Sequence, residues 1–282
     1  MTPSDAPGQA RRVRSRAGWL ILVSLVGSVL NLLWSVATPF EFANVEPRSW
    51  ERFDASLVRD ITSVGALRDA AVSRSGTSAP SEQLAVALWE VVADRFTHGT
   101  AVHTPTTRWT SWALGRLHTA FGHIYDPNAL LRGGHSLNCD QAATVLMHGA
   151  AHLGFDVRKV ALEGHVVVEL AYDDGWHMFD PDLEVFVRDP ETGDVVSAAQ
   201  ISVRPDLRGD HYQGPRAAGV SVWGQLGEES YRPFPGHIVW QDRVAALVES
   251  ALGLADWLFP VLLLLWWVAL ENNHRRHRVV EG

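Results

Sequence analysis

Residues 135–155, HSLNCDQAATVLMHGAAHLGF, hold the single cysteine of a 282-residue chain, and their reading decides the fold. From Cys139 to Leu153 the residue types favour a helix, and Gly154 supplies a natural left-handed position to end it. The pattern then changes. DVRKVALEG, HVVVELAY, WHMFD and EVFVRD are short alternating or β-branched runs, with DDG and PETGD between some of them as hairpin turns. A helix followed by antiparallel strands predicts an α+β domain.

Working outward, residues 46–125 read mostly helical. PRSWERFDASLVRDITSVGALRDAAVSR carries apolar positions at three- and four-residue spacing, and SGTSAP breaks the chain. Pro80 and Ser81 stand as a helix start, with Leu84, Leu88, Val91, Val92 and Phe96 forming one face. A further helix is expected from about Thr107, and YDPNALLRGGHS reads as a loop by its Pro, Gly and Asn content.

Composition is that of an ordinary globular protein, 46% hydrophobic and 20% charged. One cysteine excludes an intrachain disulfide. The net charge is −8 and no basic footprint points to nucleic acid. The chain has 23 Arg against one Lys, Lys159, a bias read as GC-rich bacterial coding.

The ends differ from the middle. GWLILVSLVGSVLNLLWSVA, residues 18–37, carries no charge over 20 residues, enough at a helical rise to cross a bilayer core of about 30 Å. A cleaved signal peptide has a shorter apolar region, about 7–15 residues, and a small-residue cleavage site, which TPFEFANVEP lacks. The second run has 14 uncharged residues, Trp257–Leu270, and reaches 20 when extended back to Ala251, with Asp256 near an end where an interface would solvate it. Trp257, Trp266 and Trp267 suit an interfacial belt, and a buried core helix is the alternative. Arg11, Arg12, Arg14 and Arg16 precede the first run, and Arg275, Arg276 and Arg278 follow the second. The positive-inside bias then assigns a cytoplasmic basic tail to 1–17, a transmembrane helix to 18–38, an extracytoplasmic domain to 39–250, a second transmembrane helix to 251–270 and a second cytoplasmic tail to 271–282. Without the seven flanking Arg and the acidic Asp5, Glu271 and Glu281, residues 17–270 keep 17 basic and 29 acidic side chains, net −12. Such a domain would not cling to anionic headgroups.

A lone cysteine on an apolar helix is ordinarily an inert small hydrophobe. Cys139 instead falls on the first turn, after Gly133-Gly134, where unpaired backbone N–H groups and the positive end of the helix dipole favour a thiolate and cradle an oxyanion. His165 begins one strand and Asp180 ends the next, across a short hairpin. Adjacent strands lie about 4.8 Å apart, so the aspartate reaches the imidazole and fixes its tautomer. Cys139, His165 and Asp180 are a nucleophile, base and orienting acid in kind and order.

NCDQAATVLMHGAAHLGFDVRKV, GHVVVEL and WHMFDPD together resemble the transglutaminase-like superfamily of cysteine acyl-transfer enzymes and proteases. The matching features are Cys139 with Ala143, Gly154 then Arg158 and Val160, Gly164-His165 with Glu169, and Trp176 before Asp180-Pro181, at spacings of 26 from Cys to His and 15 from His to Asp. The resemblance implies a papain-like α+β core over about 80–190, and a thiolate that attacks the amide carbonyl of a peptide or protein substrate. Water or an amine resolves the acyl-enzyme, and no cofactor is called for. A scaffold that keeps the fold without activity, binding peptide or envelope partners, is the rival reading. Arg132, His135 and Asn138 precede the cysteine with no Gln at a papain-like offset, so only the Cys139 backbone N–H is assigned to the oxyanion.

His148 and His152 lie four apart on the same helix, a zinc-chelating spacing if His135 or His177 supplies a third ligand, but the expectation is of polar helix residues and no metal. Turn chemistry accounts for Asp173, Asp174 and Asp182. Trp176 is either core or cleft wall. Residues 203–237, rich in Gly and Pro, read as a lid or a strut to the second anchor.

Overall fold

Local chemistry sets the ends of most elements in the computed structural model, which describes residues 42–162, 164–208, 232–233 and 238–280 and scattered positions between 18 and 29. The tails before residue 18 and after 280, and most of the first apolar run, lie outside the described residues. The helical reading of 47–74 divides into α1 (Ala55–Asp60) and α2 (Val64–Ser75), because Ser63 turns its hydroxyl onto the Ala66 N–H and starts a new helix. Helix α3 (Ser81–Arg95) begins after Pro80 as expected and leads into the two-residue strand β1 (Thr97–His98). Where one helix was expected from Thr107 there are two short ones, α4 (Trp109–Gly115) and α5 (Thr119–Gly122).

The expected loop at 125–136 is largely a helix, α6 (Pro127–Gly133). Pro127 occupies its first turn, where a missing N–H costs nothing, and the Asp126 carboxylate accepts the Asn128 N–H. Strand β2 (Ser136–Leu137) pairs in parallel with β1, and helix α7 (Cys139–His152) follows one residue later. Asn138 and Gln141 form a reciprocal capping box at its start, and Gly154, at φ +90°, takes the left-handed turn after its end.

Strands β3 (Asp156–Leu162), β4 (His165–Tyr172) and β5 (Gly175–Phe179) are an antiparallel meander. Asp173 and Asp174 both hold positive φ between β4 and β5, the backbone of a tight primed hairpin turn. EVFVRD forms only isolated bridges, Asp180 with Val185 and Arg188 with Val195, rather than a strand. After it come α8 (Ala198–Val203), α9 (Pro205–Arg208), strand β6 (Arg232–Pro233) and α10 (Ile238–Val280). The sheet order is β5-β4-β3-β6, all neighbours antiparallel, and the described chain is a mixed α+β structure. Of the 203–237 stretch, 209–231 and 234–237 lie outside the described residues, while Arg232 and Pro233 add the edge strand beside Ala161 and Val160.

The chain forms two compact units, 41–102 with 123–249, and 1–40 with 103–122 and 250–282. In the first, α7 lies between the sheet strands β3 and β4 and the helices α2 and α3. Gly149 makes the close approach possible: a Cβ there would meet Leu67 and Leu88 at 2.9 and 3.0 Å. A further apolar cluster joins Val160, Val167 and Met178 of the sheet to Val187, Val196 and Ile201.

In the second unit, Asp256 is buried and its carboxylate accepts the Thr110 N–H at 3.0 Å, capping α4, while the Thr110 hydroxyl donates to Leu252 O. Interface solvation was expected for this aspartate, but a helix N-terminus satisfies it instead. No single helix among the described residues is long and apolar enough to cross a membrane; Val244–Asp256 and Val261–Leu270 meet that test together, bent by 44°. Pro260 lies between those two segments in the sequence.

Candidate functional site

Three elements of the first unit bring the sequence-chosen residues together. Cys139 is the first residue of α7, His165 the first of β4, and Asp180 the residue after β5. The Leu162–His165 pair closes the β3–β4 hairpin, with Gly164 at φ +75°, and so holds the imidazole at a fixed end of the sheet. His165 Nε2 meets Asp180 Oδ2 at 2.7 Å, and both side chains are fully buried. The other Asp180 oxygen accepts the backbone N–H groups of Asp182 and Leu183 at 3.1 and 3.0 Å, and its backbone carbonyl accepts the Trp89 indole N–H at 2.9 Å. The carboxylate is thereby locked. Cys139 Sγ lies within 4.8 Å of a His165 ring nitrogen.

Burial by itself would strip the His165 proton. The Asp180 charge and hydrogen bond outweigh it, and the hydrogen bond and charge of Cys139 add to them, so the imidazole holds its proton well above the ordinary histidine value. Nε2 is committed to Asp180, which leaves Nδ1 to exchange a proton with the thiol.

The loop before Cys139 is held by a residue that the sequence reading passed over. Arg95, at the end of α3, is fully buried and donates to backbone carbonyls, to Gly134 O at 2.9 Å, Ile61 O at 3.1 Å and Leu131 O. Burial pushes its pKa down to about 10. Gly134, at φ +153°, leaves no room for a Cβ against Asn44 and Phe42, and Asn44 accepts the His135 N–H. Behind the capping box, the Gln141 side chain bonds both Ala101 N–H and Ala101 O, tying the start of α7 to the chain after β1.

The lone lysine is structural. Lys159 is buried and donates to Asp140 Oδ1 at 3.0 Å and to the Thr144 hydroxyl at 2.7 Å, pinning the first turns of α7 to β3. At Asp140 desolvation raises the pKa, but the His123 hydrogen bond and Lys159 outweigh it and hold the carboxyl well below the usual carboxylate range. A depressed folded value contributes stability that is complete above the unfolded pKa of about 4 and is lost as pH falls through the folded value. Lys159→Met is therefore expected to lower stability by about 1–2 kcal/mol at neutral pH, the half-exposed carboxylate being partly rescued by water. Urea midpoints at pH 7 and pH 3 check this: the gap between parent and variant should narrow in acid.

Asp182 is the second residue missed. Turn chemistry explains its backbone, which donates to Asp180, but not its buried side chain, which faces His98 Nδ1 with both oxygens at 2.9 Å. An Asp182 oxygen also lies within 4.8 Å of both Cys139 Sγ and His165. Eighty-four residues separate His98 from Asp182, and no local pattern in the sequence signals the pair.

Several chosen residues stand elsewhere. Arg158 and Glu169 face each other across β3 and β4 in a 2.6 Å ion pair, with the guanidinium over the Trp176 ring at 4.0 Å. Arg158 and Trp176, both features of the resemblance, line a cavity of about 430 Å³ whose lining does not include Cys139, His165 or Asp180. His177 stacks on Tyr172 and meets the carbonyls of Val195 and Tyr172, and His135 packs on Phe53. Among the described residues, neither joins His148 and His152 as a third ligand; the donors that converge are Cys139, His165 and Asp182. No protein-family model, curated protein or solved structure matches the chain.

Proposed function

We propose that this chain is a membrane-anchored cysteine enzyme of transglutaminase-like type, hydrolysing or transferring an acyl group from a peptide or related amide. What carries the reading is the 2.7 Å bond between buried His165 and Asp180, with Cys139 Sγ within 4.8 Å of the same imidazole at the first residue of a capped helix. In this mechanism His165 takes the thiol proton and the Cys139 thiolate attacks the amide carbonyl carbon. The oxyanion forms beside the Cys139 backbone N–H at the helix start. His165 then gives its proton to the departing amine, leaving a thioester. Water or a second amine attacks that thioester, His165 again takes the proton, and the thiol is restored. Asp180 holds the ring in one orientation and stabilises the imidazolium throughout.

A peptide-directed acylating or alkylating probe on the detergent-solubilised full chain tests the reading. One adduct is expected, on Cys139, formed faster than on a small-molecule thiol in mildly acidic buffer. A protein that folds but labels no faster than the free thiol is the non-catalytic scaffold.

The two-pass arrangement, with the domain outside and both tails in the cytoplasm, belongs to the same proposal. The arginine-flanked ends support it, as do the exposed Leu258, Leu262, Leu265 and Trp266 on α10. A reporter active only outside the cytoplasm should be silent when fused at Gly282 and active when inserted at Gly193. The reverse pattern would overturn the topology.

A further inference from the structure

We propose that Cys139, His165 and Asp182 form a zinc site, with Asp180 and His98 as its outer partners, so that Zn²⁺ binds on the nucleophile and blocks it. The inference goes beyond the enzymatic reading and does not depend on it. One sulfur, one imidazole nitrogen and one carboxylate oxygen lie mutually within 4.8 Å. Zinc bonds of about 2.0–2.3 Å in a tetrahedron set ligand atoms about 3.3–3.8 Å apart, so the donors need to close by only about 1–1.5 Å. His165 and Asp182 are buried, and Cys139 is partly exposed, which gives an ion a way in.

The outer shell is as specific as the inner one. A zinc-bound histidine ordinarily gives its second ring N–H to a carboxylate, and His165 Nε2 already faces Asp180 Oδ2 at 2.7 Å. A ligating carboxylate is itself hydrogen-bonded, and Asp182 is held by His98 Nδ1 at 2.9 Å. Thiolate and imidazole donors favour zinc over calcium or magnesium, which take oxygen ligands. Three protein ligands leave a fourth position for water. Binding removes the sulfur lone pair needed for attack and occupies the imidazole nitrogen that would carry the proton.

The test uses the full chain in detergent, stripped with EDTA, with Zn²⁺ or Co²⁺ added alone. Iodoacetamide labelling of Cys139 is expected to slow at least tenfold as Zn²⁺ is titrated in and to recover on chelation. Co²⁺ should give a thiolate-to-metal charge-transfer band that is lost in Cys139→Ser. His98→Ala should raise the zinc concentration for half-protection by about 10- to 100-fold, as outer-shell losses do, and Asp182→Asn at least as much. Absence of protection, or protection unchanged in both variants, would overturn the site. The stripped parent separates the two ideas: rapid labelling that zinc does not slow leaves the enzyme standing and removes the metal site, whereas slow labelling without any metal removes the enzyme.

Discussion

His165→Ala is expected to slow alkylation of Cys139 about 100-fold or more in metal-free protein at mildly acidic pH, the range that loss of a positioned base ordinarily costs. The substitution removes both the proton acceptor and the imidazolium that stabilises the thiolate. Asp180→Asn should slow labelling less, about tenfold. Its remaining carbonyl oxygen still serves the Asp182 and Leu183 N–H groups, but the new amide donor opposes the His165 N–H and turns the ring to the wrong tautomer. Cys139→Ser should keep the fold and abolish acyl transfer. The sign of the pH dependence follows from the raised His165 value. The stability of the charged His165–Asp180 pair is complete below the unfolded histidine pKa of about 6.5, and it is lost as pH rises through the higher folded value. The measurement is the labelling rate against pH for the parent and both variants. One common curve matching a simple thiol would mean that Cys139 is not activated.

Arg95→Met is expected to be the most damaging substitution far from the chemistry, lowering stability by about 3–5 kcal/mol, the cost of breaking a buried polar network. The charge itself is expensive where it sits, since burial pushes the Arg95 pKa down to about 10. Removing it returns that cost. The loss still wins, because the carbonyls of Gly134, Ile61 and Leu131 are left in the interior, each unpaired group worth about 1–3 kcal/mol. Arg95→Lys should rescue little, because one ammonium does not span carbonyls on two separate segments. Against a typical total of about 5–15 kcal/mol, the variant would sit near the edge of folding. The urea midpoint reads the effect directly. Since Gly134 belongs to the loop that leads into Cys139, any folded Arg95→Met protein should also label more slowly at the thiol.

What the sequence by itself determined is the part of this protein whose causes are local. Helix α7 starts at Cys139 because Asn138 and Gln141 satisfy its first N–H groups, and it ends before a glycine with positive φ. The DDG turn sets the β4–β5 hairpin, and the two hairpins of the meander carry His165 and Asp180 to the same end of the sheet. Pro127 misled for a local reason too: proline signals a break inside a helix but suits its first turn, and only the Asp126 cap distinguishes the two. Tertiary structure alone decided the rest. The parallel pairing of β1 with β2, the burial of Arg95 against backbone carbonyls, the Lys159–Asp140 clamp and the approach of His98 to Asp182 each join residues 19 to 84 positions apart. Such contacts leave no periodic trace, because a buried charge is chosen for the partner the fold brings to it, and that partner stands at no fixed spacing along the chain.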